Sequence, residues 1–309
     1  MDTLISSLKQ KLGTAKRVYL QAPEGLKTRI LGMASALEKE GVEVVVGCDP
    51  TYGACDLRDK EAKELGCDLL IHIGHSTFGI KACLPVVYEP YPLESDAIPL
   101  LKKHLPALES YTTISLVTTV QFASALPEAT AFLEEAGKTV LFAKQVRNQQ
   151  EGLLLGCDWS AALPLQDQVD CFLYIGSGKF HPLGLARMTD RPVLGIDLET
   201  GEFTNYREEK MRLEKIKAFH IAQAQESERF GILVSMKEGQ RFFAKARELK
   251  RVLEEKGKRA WILVMDEVSP AKIAGMKLDV LVNCGCPRID EDFTLFKKPI
   301  LNPQDVPKV

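Results

Sequence analysis

The sequence has no excess of charge of either sign. Its 309 residues include 40 Lys and Arg and 42 Asp and Glu, which leaves a formal net charge of −2. Proteins that bind nucleic acid through its phosphates carry a basic patch or stripe, and this near-balance of charge gives no sign of one. We therefore expect no direct contact with nucleic acid.

Long apolar runs are also missing. No uninterrupted apolar segment approaches the ~20 residues that a membrane-spanning helix needs. The first ten residues lack the basic stretch and the apolar stretch of a secretory signal. These absences predict a cytoplasmic protein with no membrane partner. The length of the chain predicts two or three domains, because single hydrophobic cores stop growing near this size.

Closely spaced cysteine pairs are absent as well, although the chain contains 8 cysteines. Structural zinc sites usually take four ligands from C-x-x-C spacings, and no such spacing occurs here. Disulfide bonds are not expected in a reducing cytoplasm. Cys67, Cys83 and Cys171 lie in apolar contexts, and we predict that they are small core residues.

Three other cysteines have a different local sequence. Cys55, Cys157 and Cys286 each follow a small residue and precede a polar or turn-forming one. Small neighbours allow a thiolate to approach a bulky ligand closely. These three are the candidate metal ligands, with Cys48 and Cys284 as substitutes.

The chain contains a pattern that occurs three times. In each copy an apolar strand and a helix precede three further apolar strands, and the fourth strand begins with Pro85, Pro192 or Pro299. Successive prolines of this set are 107 residues apart, which predicts three domains of about that length. The predicted domains are residues 1–106, 107–206 and 207–309, the last of which begins with a linking helix.

The strands of this pattern are continuous apolar runs, and amphipathic helices alternate with them. Such an alternation predicts doubly wound α/β domains, each with a four-stranded parallel sheet. Ligands of such sheets bind beyond the carboxyl ends of the strands. Cys55, Cys157 and Cys286 follow strands in successive copies, which is compatible with a central cluster site where three thiolates leave one iron open. Spacing alone leaves a second interpretation open, in which the three cysteines are unconnected.

Five segments of the sequence resemble one known family. They are residues 21–26, 49–56, 72–76, 178–184 and 286–289, with the sequences QAPEGL, DPTYGACD, HIGHS, GKFHPLG and CPRI. These segments resemble the archaeal 2-(3-amino-3-carboxypropyl)histidine synthase family of diphthamide biosynthesis, and the likeness spans nearly the whole chain. The segments around Cys55 and Cys286 are the specific ones, because each carries a cluster ligand in its family context.

The resemblance implies a non-canonical radical S-adenosylmethionine enzyme. In this family a [4Fe–4S] cluster is held by three cysteines, which correspond here to Cys55, Cys157 and Cys286, and its open iron engages S-adenosylmethionine. Cys284 lies two residues before Cys286, which makes the third ligand ambiguous by proximity. The family motif places the ligand directly before Pro-Arg, and this favours Cys286.

The reaction implied by the resemblance is a group transfer. Reduction of the cluster cleaves the bond from sulfur to the γ-carbon of the methionine moiety, which gives a 3-amino-3-carboxypropyl radical and methylthioadenosine. The fragment is added to an imidazole carbon of one histidine on translation elongation factor 2, in the first step of diphthamide synthesis. The family further implies an external electron donor and, for its archaeal members, a homodimer.

Four further residues are candidates for contact with the cofactor. Arg288 is placed to bind the carboxylate of S-adenosylmethionine through a bidentate hydrogen bond. Gln21 follows the first strand and is a candidate for the adenosine or amino group. His75 and His181 lie in loops after third strands and are candidates to line the cleft. A purely structural role stays open for each of the four residues.

Two other functions stay open. An iron–sulfur dehydratase or condensing enzyme that resembles quinolinate synthase would also place one cluster cysteine on each of three α/β domains. A zinc-binding interaction scaffold would use the same cysteines without a reaction. The quoted segments favour the transferase.

Overall fold

Alternating strands and helices build three sheets along the chain. The structure is a computed structural model that describes residues 2–146 and 150–309. Its close packing divides the chain into two compact units, Met1–Tyr206 and Arg207–Val309. The first unit contains two of the sheets and the second unit contains the third.

The first sheet has four parallel strands. They are β1 (Arg17–Gln21), β2 (Glu43–Val46), β3 (Leu69–Ile73) and β4 (Val86–Glu89), in the spatial order β2-β1-β3-β4. The helices of this part are α1 (Asp2–Lys11), α2 (Lys27–Glu38) and α3 (Asp59–Glu64). Helix α2 buries Ile30, Met33, Ala34 and Leu37, which is the helical spacing that places one apolar stripe against a sheet.

The second sheet has the same order with one additional strand. Its strands are β5 (Thr113–Val117), β6 (Thr139–Leu141), β7 (Cys171–Gly176), β8 (Val193–Asp197) and β9 (Phe203–Asn205), in the order β6-β5-β7-β8-β9. Its helices are α4 (Ile98–His104), α5 (Leu126–Glu135) and α6 (Phe180–Ala186). Strand β9 runs antiparallel to β8, because the chain turns back at Gly201, whose φ of 72° is left-handed.

The third sheet repeats the order of the first. Its strands are β10 (Arg229–Ser235), β11 (Arg259–Met265), β12 (Val280–Cys284) and β13 (Ile300–Leu301), all parallel, in the order β11-β10-β12-β13. Its helices are α7 (Arg207–Gln225), α8 (Phe243–Glu255) and α9 (Phe293–Phe296). The prediction of three α/β sheets that are mainly parallel is confirmed, and the four-strand prediction is wrong only for the second sheet.

The central strands are covered on both faces. Every residue of β3 and of β7 is buried, whereas the edge strands β2 and β6 contain no fully buried residue. A parallel sheet covered by helices on both sides produces this difference. Helix α4 precedes the predicted boundary at residue 106, yet its Leu101 packs in the core of the second sheet. The domain boundaries stay predictions.

An aspartate directly precedes the third strand of every sheet and holds the start of the first strand. The carboxylate oxygens accept two consecutive backbone N–H groups, those of Lys16 and Arg17 for Asp68, Thr112 and Thr113 for Asp170, and Glu228 and Arg229 for Asp279. These backbone hydrogen bonds lower the pKa of Asp68 and of Asp170. The same contact therefore sets the register of the two central strands in all three sheets.

No helix among residues 2–146 and 150–309 has both the length and the apolar composition needed to cross a membrane.

Candidate cofactor site

Gln21 anchors the loop that carries Cys55. The loop runs from the end of β2 to the start of α3, and Cys55 is partly exposed within it. Gln21 is the last residue of β1 and is only 1% exposed. Its Oε1 accepts the backbone N–H of Arg58 at 3.0 Å, and its Nε2 donates to the backbone carbonyl of Asp56 at 2.8 Å. The chain just after Cys55 is therefore tied to the carboxyl end of a central strand.

Asp56 folds the same loop into a tight turn. Its side chain is buried, and its Oδ2 accepts the backbone N–H of Tyr52 at 3.3 Å. The backbone N–H of Asp56 donates to the carbonyl of Gly53 at 3.0 Å. Cys55 lies within this turn, directly before the buried Asp56, and stays partly exposed.

Two histidines extend from Gln21 along the same edge of the sheet. His72 lies in β3 directly beside Gln21 in the parallel register, and Gln21 Nε2 is 3.0 Å from His72 Nδ1. His72 Nε2 is 2.9 Å from Nδ1 of His75, which follows the strand. Burial lowers the pKa of His75 to about 4. Burial, and then the proximity of His75, lower the pKa of His72 well below its usual value.

Gly74 shapes the turn between these two histidines. Its φ is 88°, and a Cβ at this position would lie 3.0 Å from Cγ of Pro23. The Gly74 N–H donates to the carbonyl of Glu89 at 2.8 Å, and Nε2 of Gln121 donates to the Gly74 carbonyl at 2.6 Å. The backbone that presents His75 is therefore held from both sides.

Tyr88 packs beneath the histidine pair. Its ring centroid is 5.3 Å from that of His72. The hydroxyl is buried, and the side chain of Thr77 is its polar neighbour. Burial raises the pKa of Tyr88 to about 12, so the hydroxyl stays protonated at neutral pH.

Cys157 lies in the segment between β6 and β7 and is partly exposed. The neighbouring residues Leu155 and Asp158 exchange backbone hydrogen bonds at 3.2 Å, which closes a turn around Cys157. Gly156 lies under the ring of Phe180, because a Cβ at Gly156 would come within 2.3 Å of Phe180 Cε1. A side chain at the position before this candidate ligand would therefore displace the ring of Phe180.

His181 stands next to Phe180 at the start of α6. Its ring centroid is 5.3 Å from that of Phe180 and 6.4 Å from that of Tyr174, with which it is stacked. His181 is partly exposed. The structure thus groups His181 with the turn around Cys157, and its contact with a cofactor stays a prediction.

Cys286 begins a short 3₁₀ turn, Pro287–Asp292, immediately beyond β12 and is partly exposed. Asn283 holds this corner. Its Oδ1 accepts the N–H of Gly285 at 2.9 Å, and its Nδ2 donates to the carbonyl of Cys286 at 2.7 Å. Cys284 is instead 1% exposed, and burial raises the pKa of its thiol to about 11. Because a ligating cysteine must be a thiolate, these contrasts support Cys286 as the third ligand.

Arg288 is buried against an acidic partner. Its Nε and Nη2 both donate to the carboxylate of Glu291, the second at 2.9 Å. A carboxylate of a bound ligand would have to share the guanidinium with Glu291. The prediction that Arg288 binds such a carboxylate is untested.

The remaining cysteines divide by burial. Cys67 and Cys171 are core residues as predicted, and burial raises the pKa of both thiols. The core prediction for Cys83 is wrong, since this residue is exposed. It lies in the loop before β4, where its N–H donates to the Asp59 carboxylate at 2.7 Å. The apolar residues around Cys83 lie in the loop that leads into β4 and not in the strand itself.

The three candidate ligands fit a cluster by their chemistry. Each is a partly exposed thiol in a loop at the carboxyl edge of a parallel sheet. Cys55 and Cys157 belong to the unit of residues 1–206, and Cys286 belongs to the unit of residues 207–309. Their convergence on one cluster stays a prediction.

Comparison with known proteins identifies the family. The model of the diphthamide synthesis protein family matches residues 22–308. The chain belongs to the diphthamide synthesis protein family. A member from Pyrococcus horikoshii, named 2-(3-amino-3-carboxypropyl)histidine synthase, is 36% identical over 295 residues, which are 94% of this chain and 85% of the relative. Subunit 1 of the Saccharomyces cerevisiae synthase is 30% identical over 302 residues, which are 94% of this chain and 70% of the relative.

A solved structure of the family has the same fold. The crystal structure of Dph2 from Pyrococcus horikoshii with a 4Fe-4S cluster matches with a TM-score of 0.90 and 35% identity, and the match covers 98% of this chain and 89% of that one. The family identified from the sequence is confirmed, as is its enzymatic character. The predicted cofactor is a [4Fe–4S] cluster, and the Pyrococcus protein was crystallised with a cluster of this kind.

Sequence analysis missed several residues that organise the site of this family member. Among them is His72, which lies within an apolar strand and bonds the side chains of Gln21 and His75. Asn283 and Phe180 could not be found in this way, because an isolated amide or ring gives no signal in one sequence. The pairing of Gln21 with His72 could have been found from the strand register, because the two residues are opposite each other in the parallel strands β1 and β3.

Proposed function

We propose that this protein transfers the 3-amino-3-carboxypropyl group of S-adenosylmethionine to an imidazole carbon of a histidine on translation elongation factor 2. The observation that carries the proposal is 36% identity with the Pyrococcus synthase across 94% of the chain. When bound, a reduced [4Fe–4S] cluster supplies the electron that cleaves the bond from sulfur to the γ-carbon. The chain's own residues hold the cluster and orient both substrates.

Three cysteines are the proposed cluster ligands, Cys55, Cys157 and Cys286. Their partial exposure supports this role, since the three buried cysteines have raised thiol pKa values. Four residues are proposed to contact S-adenosylmethionine or to position what contacts it. They are Arg288, Gln21, His75 and His181. For Gln21 the two hydrogen bonds to the Cys55 loop favour positioning over contact.

The proposed assembly is a homodimer in the cytoplasm that receives its electron from an external donor. The Pyrococcus relative is named without a subunit number, whereas the yeast relative is named as subunit 1. This difference supports one kind of chain for the protein described here. Light scattering on the purified protein should give a mass of about twice 34.3 kDa, and a monomer would contradict the dimer.

The deciding experiment is anaerobic. The protein is reconstituted with iron and sulfide, reduced, and mixed with S-adenosylmethionine, and the nucleoside product is identified by chromatography. We expect methylthioadenosine from the wild type and none from Cys55→Ala, Cys157→Ala or Cys286→Ala. Cys284→Ala is the matched control for Cys286→Ala, and it should keep both the iron and the product.

Each other outcome has a distinct meaning. Deoxyadenosine would indicate cleavage at a different carbon–sulfur bond. An iron-loaded protein that cleaves nothing would favour the dehydratase, and a colourless protein that binds tetrahedral zinc would favour the scaffold. Addition of elongation factor 2 then tests the acceptor, because the factor should gain the mass of one 3-amino-3-carboxypropyl group.

A further inference from the structure

A chain of hydrogen bonds joins the Cys55 loop to His75. Its three side chains are Gln21, His72 and His75, and the two connecting distances are 3.0 and 2.9 Å. Gln21 also holds the backbone on the far side, at Asp56 and Arg58. We call these three side chains the relay. It lies within the first sheet, at the carboxyl ends of β1 and β3.

The backbone sets the direction of the relay. Gln21 Oε1 accepts a backbone N–H, and Gln21 Nε2 donates to a backbone carbonyl, so the amide cannot be turned around without losing both bonds. The second hydrogen on Gln21 Nε2 therefore points at His72 Nδ1, which has to be an acceptor. A neutral imidazole with an unprotonated Nδ1 carries its proton on Nε2.

The tautomer of His72 determines that of His75. His72 Nε2–H donates to His75 Nδ1, so the proton of His75 also lies on Nε2. Both rings stay neutral at pH 7, because burial lowers the pKa of each. His75 Nε2–H has no hydrogen-bond partner within residues 2–146 and 150–309. The relay thus ends in a neutral donor whose orientation is set before any ligand binds.

We propose that Gln21 and His72 fix His75 as the Nε2–H tautomer, so that His75 donates one hydrogen bond to an anionic acceptor of the bound cofactor. The inference rests on the proposed function. The acceptor is either a carboxylate oxygen of S-adenosylmethionine or a sulfur of the cluster and its thiolates. Gln21 and His72 are positioning residues, and Gln21 ties the direction of the relay to the loop of Cys55. A donor that is oriented in advance needs no reorganisation when the acceptor arrives.

The relay itself is tested without any cofactor. The chain is labelled with ¹⁵N and ¹³C at histidine, and the ring shifts of His72 and His75 are measured at pH 7. Both are expected to be Nε2–H tautomers. In Gln21→Met the donor to His72 is lost, and the shifts of both rings should move toward a tautomer mixture. An Nδ1–H tautomer or a charged ring at His75 in the wild type would overturn the proposal.

The acceptor is tested with two variants of the reconstituted enzyme. Nε2 of a glutamine occupies nearly the place of histidine Nε2, whereas the amide nitrogen of an asparagine falls near Nδ1. If the acceptor is the carboxylate, His75→Asn should raise the KM for S-adenosylmethionine about tenfold relative to His75→Gln. If the acceptor is a cluster sulfur, the asparagine variant should instead have the lower reduction potential, because a hydrogen bond to sulfur favours the reduced state.

His104→Gln is the matched control, since His104 also lies in residues 1–206, is partly buried like His75, and hydrogen-bonds the backbone carbonyl of Gly201. It should match the wild type in KM and in potential. Equal KM and equal potential in His75→Asn and His75→Gln would overturn the assignment of an acceptor. A wild-type protein that makes no methylthioadenosine would overturn the proposed function. The ring shifts, which need no cofactor, would still show whether His72 and His75 are Nε2–H tautomers.

Discussion

Acid should destabilise the unit of residues 1–206 through His75. Burial lowers the pKa of His75 from 6.5 to about 4. The native state therefore keeps this ring neutral at a pH where the unfolded chain takes up a proton. Because the unfolded state binds more protons between pH 6.5 and about 4, the free energy of unfolding falls as the pH falls through this window. The contribution is complete above pH 6.5.

The size of the effect follows from the shift. One pKa unit corresponds to about 1.4 kcal/mol, so the full difference between 6.5 and about 4 amounts to about 3 kcal/mol. Roughly 2 kcal/mol of this is lost between pH 7.5 and pH 5, where the native histidine is still neutral. The pKa of His72 is lowered in the same direction, so His72 adds to the loss.

The two tryptophans allow this unit to be followed alone. Trp159 lies in residues 1–206, and Trp261 lies in the other unit with 45% of its surface exposed. In a Trp261→Phe background, urea unfolding is followed by the fluorescence of Trp159 at several values between pH 7.5 and 5. The same series is measured for His75→Gln in that background. The stability difference between the two chains should shrink by about 2 kcal/mol toward pH 5.

A parallel pH dependence in the two chains would refute the reasoning. It would mean that His75 takes up its proton at the same pH in the native and unfolded states, so that the ring is hydrated and not buried. The difference between the two chains removes the acid response of the carboxylates, which both chains share.

Three further substitutions test the packing of the site by urea unfolding. Gly156→Ala should cost about 1 kcal/mol, at the low end for overpacking, because its Cβ would meet Cε1 of the half-exposed Phe180 at 2.3 Å, and in a Phe180→Ala background the same change should cost less. Tyr88→Phe should change stability by no more than about 1 kcal/mol, since the lost hydroxyl is buried and has only a weak contact with the side chain of Thr77 to lose. Asn283→Ala should cost about 1 to 3 kcal/mol and lower the iron content after reconstitution, because it releases the backbone on both sides of Cys286.

The repeat predicts the start of the fourth strand in each copy to within one residue. Pro85, Pro192 and Pro299 directly precede β4, β8 and β13. Proline cannot donate a hydrogen bond to a sheet, which confines it to the beginning of a strand or to an edge. Proline before an apolar run is therefore a useful marker of where a strand begins.

Features that depend on tertiary contact could not be predicted. Strand β9 has three residues, too few for a period, and it forms because the turn at Gly201 brings it back beside β8. Helix α4 lies on the first side of a boundary drawn from the repeat, whereas the packing of Leu101 assigns it to the second sheet. Cys83 shares the apolar context of a core cysteine, but its place in a loop exposes it.

The relay depends on a tertiary contact, but its position follows from a pattern that the sequence repeats. Asp68 holds the start of β1 against the start of β3, and four residues further along the two parallel strands Gln21 meets His72. The same count from Asp170 leads to Tyr174, and from Asp279 to Asn283. The three equivalent positions are all buried.

These three positions share a task in their own sheets. His72 bonds the glutamine that holds the Cys55 loop, and Asn283 bonds the carbonyl of Cys286. Tyr174 donates to the carbonyl of Ser177 at 3.2 Å and stacks on His181. Since a parallel register fixes which residue reaches the carboxyl edge of the sheet, each copy of the repeat has one buried position from which a polar side chain reaches a loop at that edge, and in the first and third copies this loop carries a candidate ligand. The residue type at that position differs because each loop offers a different group to bond, which is why the fold could be read from the repeat and the contacts could not.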